Sequence, residues 1–201
     1  MKCYSDFIVQ VPKKYRDTIK TESGVELFVD SRWNLKDTVN TIMEIHELPF
    51  DYDGPIKKGD TVFVDATIFM EQIYQKGGKQ ENIYLIDRKT FSYKLKPNFI
   101  IAYKPKDIVT WTAYGENVLI QPIKETKEKI GSILLPQFKE DSRVAKGKVF
   151  LANPETESIG VDLEQEVYYN NYVAIDVKFN DQWLIWVRNK DLLATIQKDA
   201  A

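Results

Sequence analysis

The chain has 201 residues, 43% of them apolar and 29% charged, a globular composition with enough apolar side chains to build a core. Its 28 basic and 30 acidic residues are scattered along the chain for a net charge of −2, which excludes the clustered basic face of a nucleic-acid binder. One histidine and one cysteine leave no His/Cys metal cluster and no disulfide within the chain.

The start, Met1-Lys2-Cys3-Tyr4-Ser5-Asp6, lacks the apolar stretch of a secretory leader and is polar again by Gln10. No run approaches the roughly 18 apolar residues of a membrane span. With the lone Cys3, these features predict a cytoplasmic protein away from membranes. The first predicted strand is Phe7-Ile8-Val9-Gln10-Val11-Pro12, a β-branched and aromatic run stopped by proline. A polar, Lys-rich stretch over 13–22 follows, then the cluster Gly24-Val25-Glu26-Leu27-Phe28-Val29. Residues 34–47 read two ways. Leu35, Val39, Ile42, Met43 and His46 fall at helical spacing, while Thr41-Ile42-Met43-Glu44-Ile45 also reads as a strand. The strand is taken, because a matching segment later in the chain contains Lys146-Gly147. His46 is the only base available to a Ser-His or Cys-His arrangement and sits in an apolar-rich segment, so it is read as structural or surface rather than catalytic. Asp53-Gly54-Pro55 marks a turn before Ile56-Lys57-Lys58-Gly59-Asp60-Thr61-Val62-Phe63-Val64. Gln75-Lys76-Gly77-Gly78-Lys79 reads as a hairpin turn, since a phosphate loop needs more glycines leading into a helix. Two further strands, at Ile83-Tyr84-Leu85-Ile86 and Asn98-Phe99-Ile100-Ile101-Ala102, complete the first half.

The second half repeats the pattern. Val118-Leu119-Ile120-Gln121-Pro122 matches the first strand, and Gly131-Ser132-Ile133-Leu134-Leu135-Pro136 matches the glycine-led cluster after another Lys-rich stretch. Gly147-Lys148-Val149-Phe150-Leu151 lines up with 41–45, and Leu163-Glu164-Gln165-Glu166-Val167-Tyr168-Tyr169 with 56–64. Trp183-Leu184-Ile185-Trp186 is set against 83–86, and Asp191-Leu192-Leu193-Ala194 against 98–102. Phe179-Asn180-Asp181 is a further turn signal. Two domains are therefore expected, 1–106 and 107–201, each of short strands that hide their edges by closing into a small barrel. Tyr168, Tyr169, Tyr172, Trp183 and Trp186 are assigned to barrel core and subunit contacts rather than to base stacking.

The stretch from Ala113 to Leu135 resembles the signature of the GroES co-chaperonin family. That signature opens on proline, an aliphatic residue, any residue, an acid or amide and a base. Three apolar residues and a polar one follow, and after a spacer comes Gly or Ser, any residue, and three more apolar residues. Here it reads Ala113-Tyr114-Gly115-Glu116-Asn117, Val118-Leu119-Ile120-Gln121, a spacer over 122–130, and Gly131-Ser132-Ile133-Leu134-Leu135. Ala113, Tyr114 and Asn117 depart from the pattern at the proline, aliphatic and basic places. Downstream, Ala145-Lys146-Gly147-Lys148-Val149 and Val187-Arg188-Asn189-Lys190-Asp191-Leu192-Leu193-Ala194 look like the strand after the loop and the closing strand. The first half matches more loosely, with Glu26 inside the apolar triplet, and is similar to a second, diverged barrel.

The resemblance implies an all-β chain of two tandem small GroES-like β-barrels, with a layout similar to the chloroplast double-domain co-chaperonin. It further implies a non-enzymatic co-chaperonin that forms a homo-oligomeric ring and caps a GroEL-type chaperonin. ATP belongs to that partner, and this chain needs no cofactor and no metal. The docking loop is then carried by Gly131, Ser132, Ile133, Leu134, Leu135 and Pro136, with a second candidate loop at Gly24, Val25, Leu27 and Phe28. A competing expectation is a structural ring or decoration protein, for example of a virus particle, reusing the same tandem barrel. A third, the zinc alcohol dehydrogenases that also carry a GroES-like barrel, fails because the zinc ligands and the dinucleotide domain are missing.

Overall fold

A computed structural model of the chain describes residues 4–13, 18–20, 23–28, 38–69, 72–74, 80–123, 129–130, 133–134, 143–158 and 160–195. The chain divides into two compact units, Met1–Trp111 and Thr112–Ala201. Unit 1 contains β1 (Phe7–Gln10), β2 (Thr18–Lys20), β3 (Glu26–Phe28), β4 (Ile42–Glu47), β5 (Thr61–Val64), β6 (Gln72–Tyr74), β7 (Gln80–Asn82), β8 (Leu85–Asp87), β9 (Ser92–Leu95) and β10 (Ile100–Lys104). Unit 2 contains β11 (Thr112–Ala113), β12 (Asn117–Pro122), β13 (Lys129–Ile130), β14 (Ile133–Leu134), β15 (Val144–Leu151), β16 (Glu166–Asn170), β17 (Ile175–Phe179), β18 (Gln182–Arg188) and β19 (Leu192–Thr195). A short helix, α1 (Pro154–Ser158), joins β15 to β16. The protein is all-β, built on two antiparallel sheets.

Within unit 1 the strands are hydrogen-bonded in the order β8-β9-β1-β4-β5-β10, and within unit 2 in the order β17-β18-β12-β15-β16-β19. The two orders are the same strand for strand. Each unit also hangs a separate two-stranded hairpin, β2–β3 or β13–β14, from the connection between the first and second ladder strands. The register slips at the same place in both, between Ile8 and Val9 against β4 and between Leu119 and Ile120 against β15. A 3-10 turn, Pro97–Phe99 or Asn189–Asp191, precedes the last strand of each. The bulge equates Val9 with Ile120 and Ile45 with Val149, which are paired across their ladders.

Period-two burial sets the inner faces. In β4, Met43 and Ile45 are buried while Glu44 and His46 point outward, so the strand reading of this segment holds and His46 lies on the exposed face. In unit 2, Val118, Ile120, Val149, Val167, Tyr169 and Val187 pack as one cluster. The β17–β18 hairpin turns on Asn180 (φ 46°) and Asp181 (φ 66°), both left-handed, the primed two-residue turn whose twist matches its strands. β6 and β7 pair antiparallel on either side of Gly77-Gly78, which themselves lie outside the described residues.

Two alignments of the halves need correction. The ladder register sets 41–45 against 145–149, two residues before 147–151. The segment 83–86 was set against 183–186, yet β8 takes the place of β17, and β18, with Trp183 and Trp186, takes the place of β9. Unit 1 carries an insertion over 65–84, between β5 and β8, where unit 2 has only the turn 171–174. Short apolar runs of similar composition slide past one another when an insertion of that size lies between them. Among the late aromatics, Tyr169 and Trp186 are buried, while Tyr168, Tyr172 and Trp183 are exposed.

Candidate functional site

The β2–β3 and β13–β14 hairpins, like β6–β7, stand apart from the main ladders, which do not need them for their own pairing. In unit 2, β13 and β14 form an antiparallel ladder with Lys129 opposite Leu134 and Ile130 opposite Ile133. Ile133 and Leu134 are thus placed on the hairpin, and Gly131, Ser132, Leu135 and Pro136 lie outside the described residues. In unit 1, Thr18 faces Phe28, Ile19 faces Leu27 and Lys20 faces Glu26. Gly24 leads into β3 with φ +81°, a conformation that favours glycine, with nothing near a would-be Cβ. Val25 is exposed, Leu27 is 51% exposed and Phe28 89%. Neighbouring residues of a strand point to opposite faces, so Leu27 and Phe28 leave both faces of this hairpin apolar and wet. A two-stranded hairpin in that state is marginal by itself in water and gains from a partner.

The root of the unit 2 loop is held firmly. Beyond Pro122, Ile123 N–H donates to the Lys146 carbonyl at 3.2 Å, which closes the two stems against each other. Gly147 sits opposite Pro122, and a Cβ there would meet Ile120 Cγ2 at 2.3 Å and the Gln121 carbonyl oxygen at 2.8 Å. The strand therefore needs a glycine to pass so close to its neighbour. Lys146 Nζ lies 2.6 Å from Glu166 Oε2, and that hydrogen bond raises the Lys146 ammonium above its ordinary pKa. Where the loop rejoins the sheet, the Arg143 carbonyl accepts Asn171 N–H at 2.9 Å, and the Arg143 guanidinium stands 5.9 Å from the centre of the Tyr172 ring. Deeper in, burial raises the Tyr169 phenol and keeps it neutral.

A polar network fixes the other end of the β12–β15 ladder, away from the loop. Asn117 Oδ1 accepts the buried indole N–H of Trp186 at 2.9 Å, and its Nδ2 donates to the Tyr114 carbonyl at 2.6 Å. Asn153 caps α1 by accepting Thr156 N–H at 2.7 Å, with Pro154 at the first helical position, and its amide donates to the Gly115 carbonyl. Thr156 Oγ1 lies 2.8 Å from the side-chain oxygens of both Asn153 and Asn189. Among the described residues, no buried side-chain polar atom is left without a partner. Asn117, a departure at the family's basic place, is thus a structural residue. The signal that could have found this helix start stands in the sequence, an Asn followed directly by proline at Asn153-Pro154-Glu155-Thr156.

The model of the family described as "Chaperonin 10 Kd subunit" (Cpn10) matches residues 110–196, which is unit 2 nearly end to end. The chain is 30% identical over 84 residues to the protein named Co-chaperonin GroES of Kosmotoga olearia, a stretch that is 42% of this chain and 93% of the relative. It is 31% identical over 87 residues to Co-chaperonin GroES of Pseudothermotoga lettingae, 43% of this chain and 97% of that one. With Co-chaperonin GroES of Thermotoga maritima it shares 32% identity over 89 residues, 42% of this chain and 92% of the relative. The chain belongs to the Cpn10 family. These relatives are about as long as unit 2 alone, so the Cpn10 match accounts for the β12–β19 barrel together with its β13–β14 hairpin and leaves unit 1 unmatched. The first unit joins the comparison only through its strand order. Among the described residues, no group of three or more His, Cys, Asp or Glu is placed to hold a metal, and no helix is long and apolar enough to cross a membrane.

Proposed function

We propose that this Cpn10-family chain is a co-chaperonin that caps a GroEL-type chaperonin ring and assists ATP-dependent folding. The contact is made by the loop of Gly131, Ser132, Ile133, Leu134, Leu135 and Pro136. The observation that carries the reading is the β13–β14 hairpin, which puts Ile133 and Leu134 outside the barrel ladder on a stem fastened at Gly147 and Lys146. The chain itself is a binding protein rather than an enzyme. ATP is held by the chaperonin, this chain takes no cofactor or metal, and copies assemble into a ring in the cytoplasm. Unit 1 is a second barrel of the same kind, and its hairpin, with Gly24, Val25, Leu27 and Phe28, supplies a second apolar contact.

The energetics favour weak contacts used many times. Burying Ile133, Leu134 and Leu135 contributes about 1.5–3 kcal/mol each. Ordering the loop takes back much of that gain, at about 1–2 kcal/mol for each residue fixed. One loop therefore binds weakly, whereas a ring presents many loops and each contact after the first is intramolecular. Such a lid is held when several loops engage and is released when the partner changes state.

Co-elution with a GroEL-type chaperonin, with and without ATP, tests the reading. The wild type is expected to co-elute in a nucleotide-dependent way, and Leu134→Asp to abolish binding while the chain stays folded. A folded, ring-forming wild type that never binds sinks the lid and leaves the structural-assembly alternative.

A further inference from the structure

Unit 2 has an open groove of about 660 Å³ lined by Arg143, Val144, Asn170, Tyr172 and Leu193, of which Val144, Tyr172 and Leu193 are exposed apolar or aromatic side chains. The groove adjoins the β16–β17 turn over 171–174. Unit 1 treats the same connection differently: its insertion forms a 3-10 turn, Ala66–Phe69, that buries Ile68 and Phe69 and sets Phe69 edge-on to Tyr93 at 5.2 Å. The first unit buries an aliphatic and an aromatic residue of its own at this connection, whereas in the second Val144, Tyr172 and Leu193 stay exposed.

Unit 1 carries a surface of the matching kind. Tyr4 is 84% exposed and Phe50 69%, and their rings lie 6.3 Å apart. Asp51 and Asp53 are exposed on the same loop, and Phe7 packs edge-on against Tyr52 beneath it at 4.8 Å. Two solvent-facing aromatic rings, with the exposed Asp51 and Asp53 following Phe50 in the chain, complement an apolar groove whose cation is Arg143.

We propose that the groove of unit 2 receives the Tyr4–Phe50 corner of a second copy of this chain. The inference rests on the co-chaperonin reading and deepens it by naming the faces that meet when copies assemble. Corner and groove are different surfaces, so the contact is head-to-tail. An open chain of copies keeps one free corner at one end and one free groove at the other until the set closes.

The test uses the full chain and native mass spectrometry, with sedimentation at matched concentrations. Phe50→Asp spoils the corner, and Leu193→Asp spoils the groove. Each is expected to weaken association by on the order of tenfold or more and to shift the species toward the 23.4 kDa single chain. Mixed in equal amounts, the two variants are expected to form a dimer and nothing larger. The intact corner of one fits the intact groove of the other, and the spoiled faces stop growth. Both residues are exposed, and circular dichroism checks the fold. If either variant misfolds, Arg143→Glu and the double variant Asp51→Arg/Asp53→Arg serve as the pair, and combining them in one chain is expected to restore assembly. Wild-type mass in the single variants, no dimer on mixing, or a monomeric wild type overturns the proposal. Chaperonin co-elution of the same samples separates the two ideas. Binding with unchanged assembly in every variant removes this interface alone, whereas a corner-dependent assembly that binds no chaperonin removes the lid and leaves the interface standing.

Discussion

The corner that opens the first ladder strand is held by different chemistry in the two units. In unit 2 it is a network of amides and a hydroxyl: Asn117 on Trp186, and Asn153 joined through Thr156 to Asn189. In unit 1 it is aromatic, with Phe7 against Tyr52, and the Tyr52 hydroxyl accepting Ile56 N–H at 3.2 Å. One strand order accepts both. The hydrogen-bonded corner is directional and fixes the start of β12, at the end of the strand away from its loop. The aromatic corner works by buried area and leaves Tyr4 and Phe50 facing out. The unit that matches the family places its polar residues in a bonded corner at the start of β12, and the unmatched unit offers surface.

The largest separation between the units is expected at Gly147. By register, Met43 holds the equivalent place in β4 and is buried, whereas at Gly147 the space is taken by Ile120 Cγ2. Gly147→Met therefore writes the unit 1 residue into unit 2 where backbone and a branched side chain block it. A loss of about 3 kcal/mol or more is expected from overpacking. With Trp33 and Trp111 of unit 1 replaced by Phe, denaturation followed by the fluorescence of Trp183 and Trp186 reads unit 2, and an unmoved midpoint would show that the β12–β15 contact relaxes easily.

The corners come next. Asn153→Ala removes the α1 cap and the bond to Gly115, and Asn117→Ala strands the buried Trp186 indole N–H; each is expected to cost about 1–3 kcal/mol. Tyr52→Phe removes one half-buried acceptor and keeps the ring contact, so a loss nearer 1 kcal/mol is expected. Equal losses in the two corners would erase the contrast between the units. Stability from urea midpoints at constant slope is the readout.

Much of this was legible in order and little in partnership. The strand-proline-loop-glycine pattern placed β1, β4, β12 and β15 because each is a compact apolar run bounded by breakers. Asn180-Asp181 announced its turn because only left-handed conformers close a two-residue hairpin there. The pairing of Asn117 with Trp186 was not visible, since the two are 69 positions apart and neither local pattern names the other. Gly147 read as one more glycine in a strand until the position of Ile120 gave it a reason. The misplacement of 83–86 has the same root: register is decided across strands, and a single strand of three residues carries too little alternation to declare its neighbour.

The smallest expected difference is electrostatic, and it runs in opposite directions. Lys58 Nζ lies 2.6 Å from Glu47 Oε1 in unit 1, as Lys146 does from Glu166 in unit 2. The hydrogen bond from Lys58 holds the Glu47 carboxyl below its ordinary 4.5, so its contribution is present above that value and is lost as pH falls through the lower folded value. The Glu166 hydrogen bond holds Lys146 above its ordinary 10.5, so that contribution is present below 10.5 and is lost as pH rises through the higher folded value. Both pairs are solvent-facing, and salt screens them. Lys58→Met should therefore flatten the acid limb of unit 1 and Lys146→Met the alkaline limb of unit 2. Both changes should shrink in high salt. Melting temperatures taken across pH at two ionic strengths decide it: limbs that move together in either variant would mean that the pairs do not act on their own units.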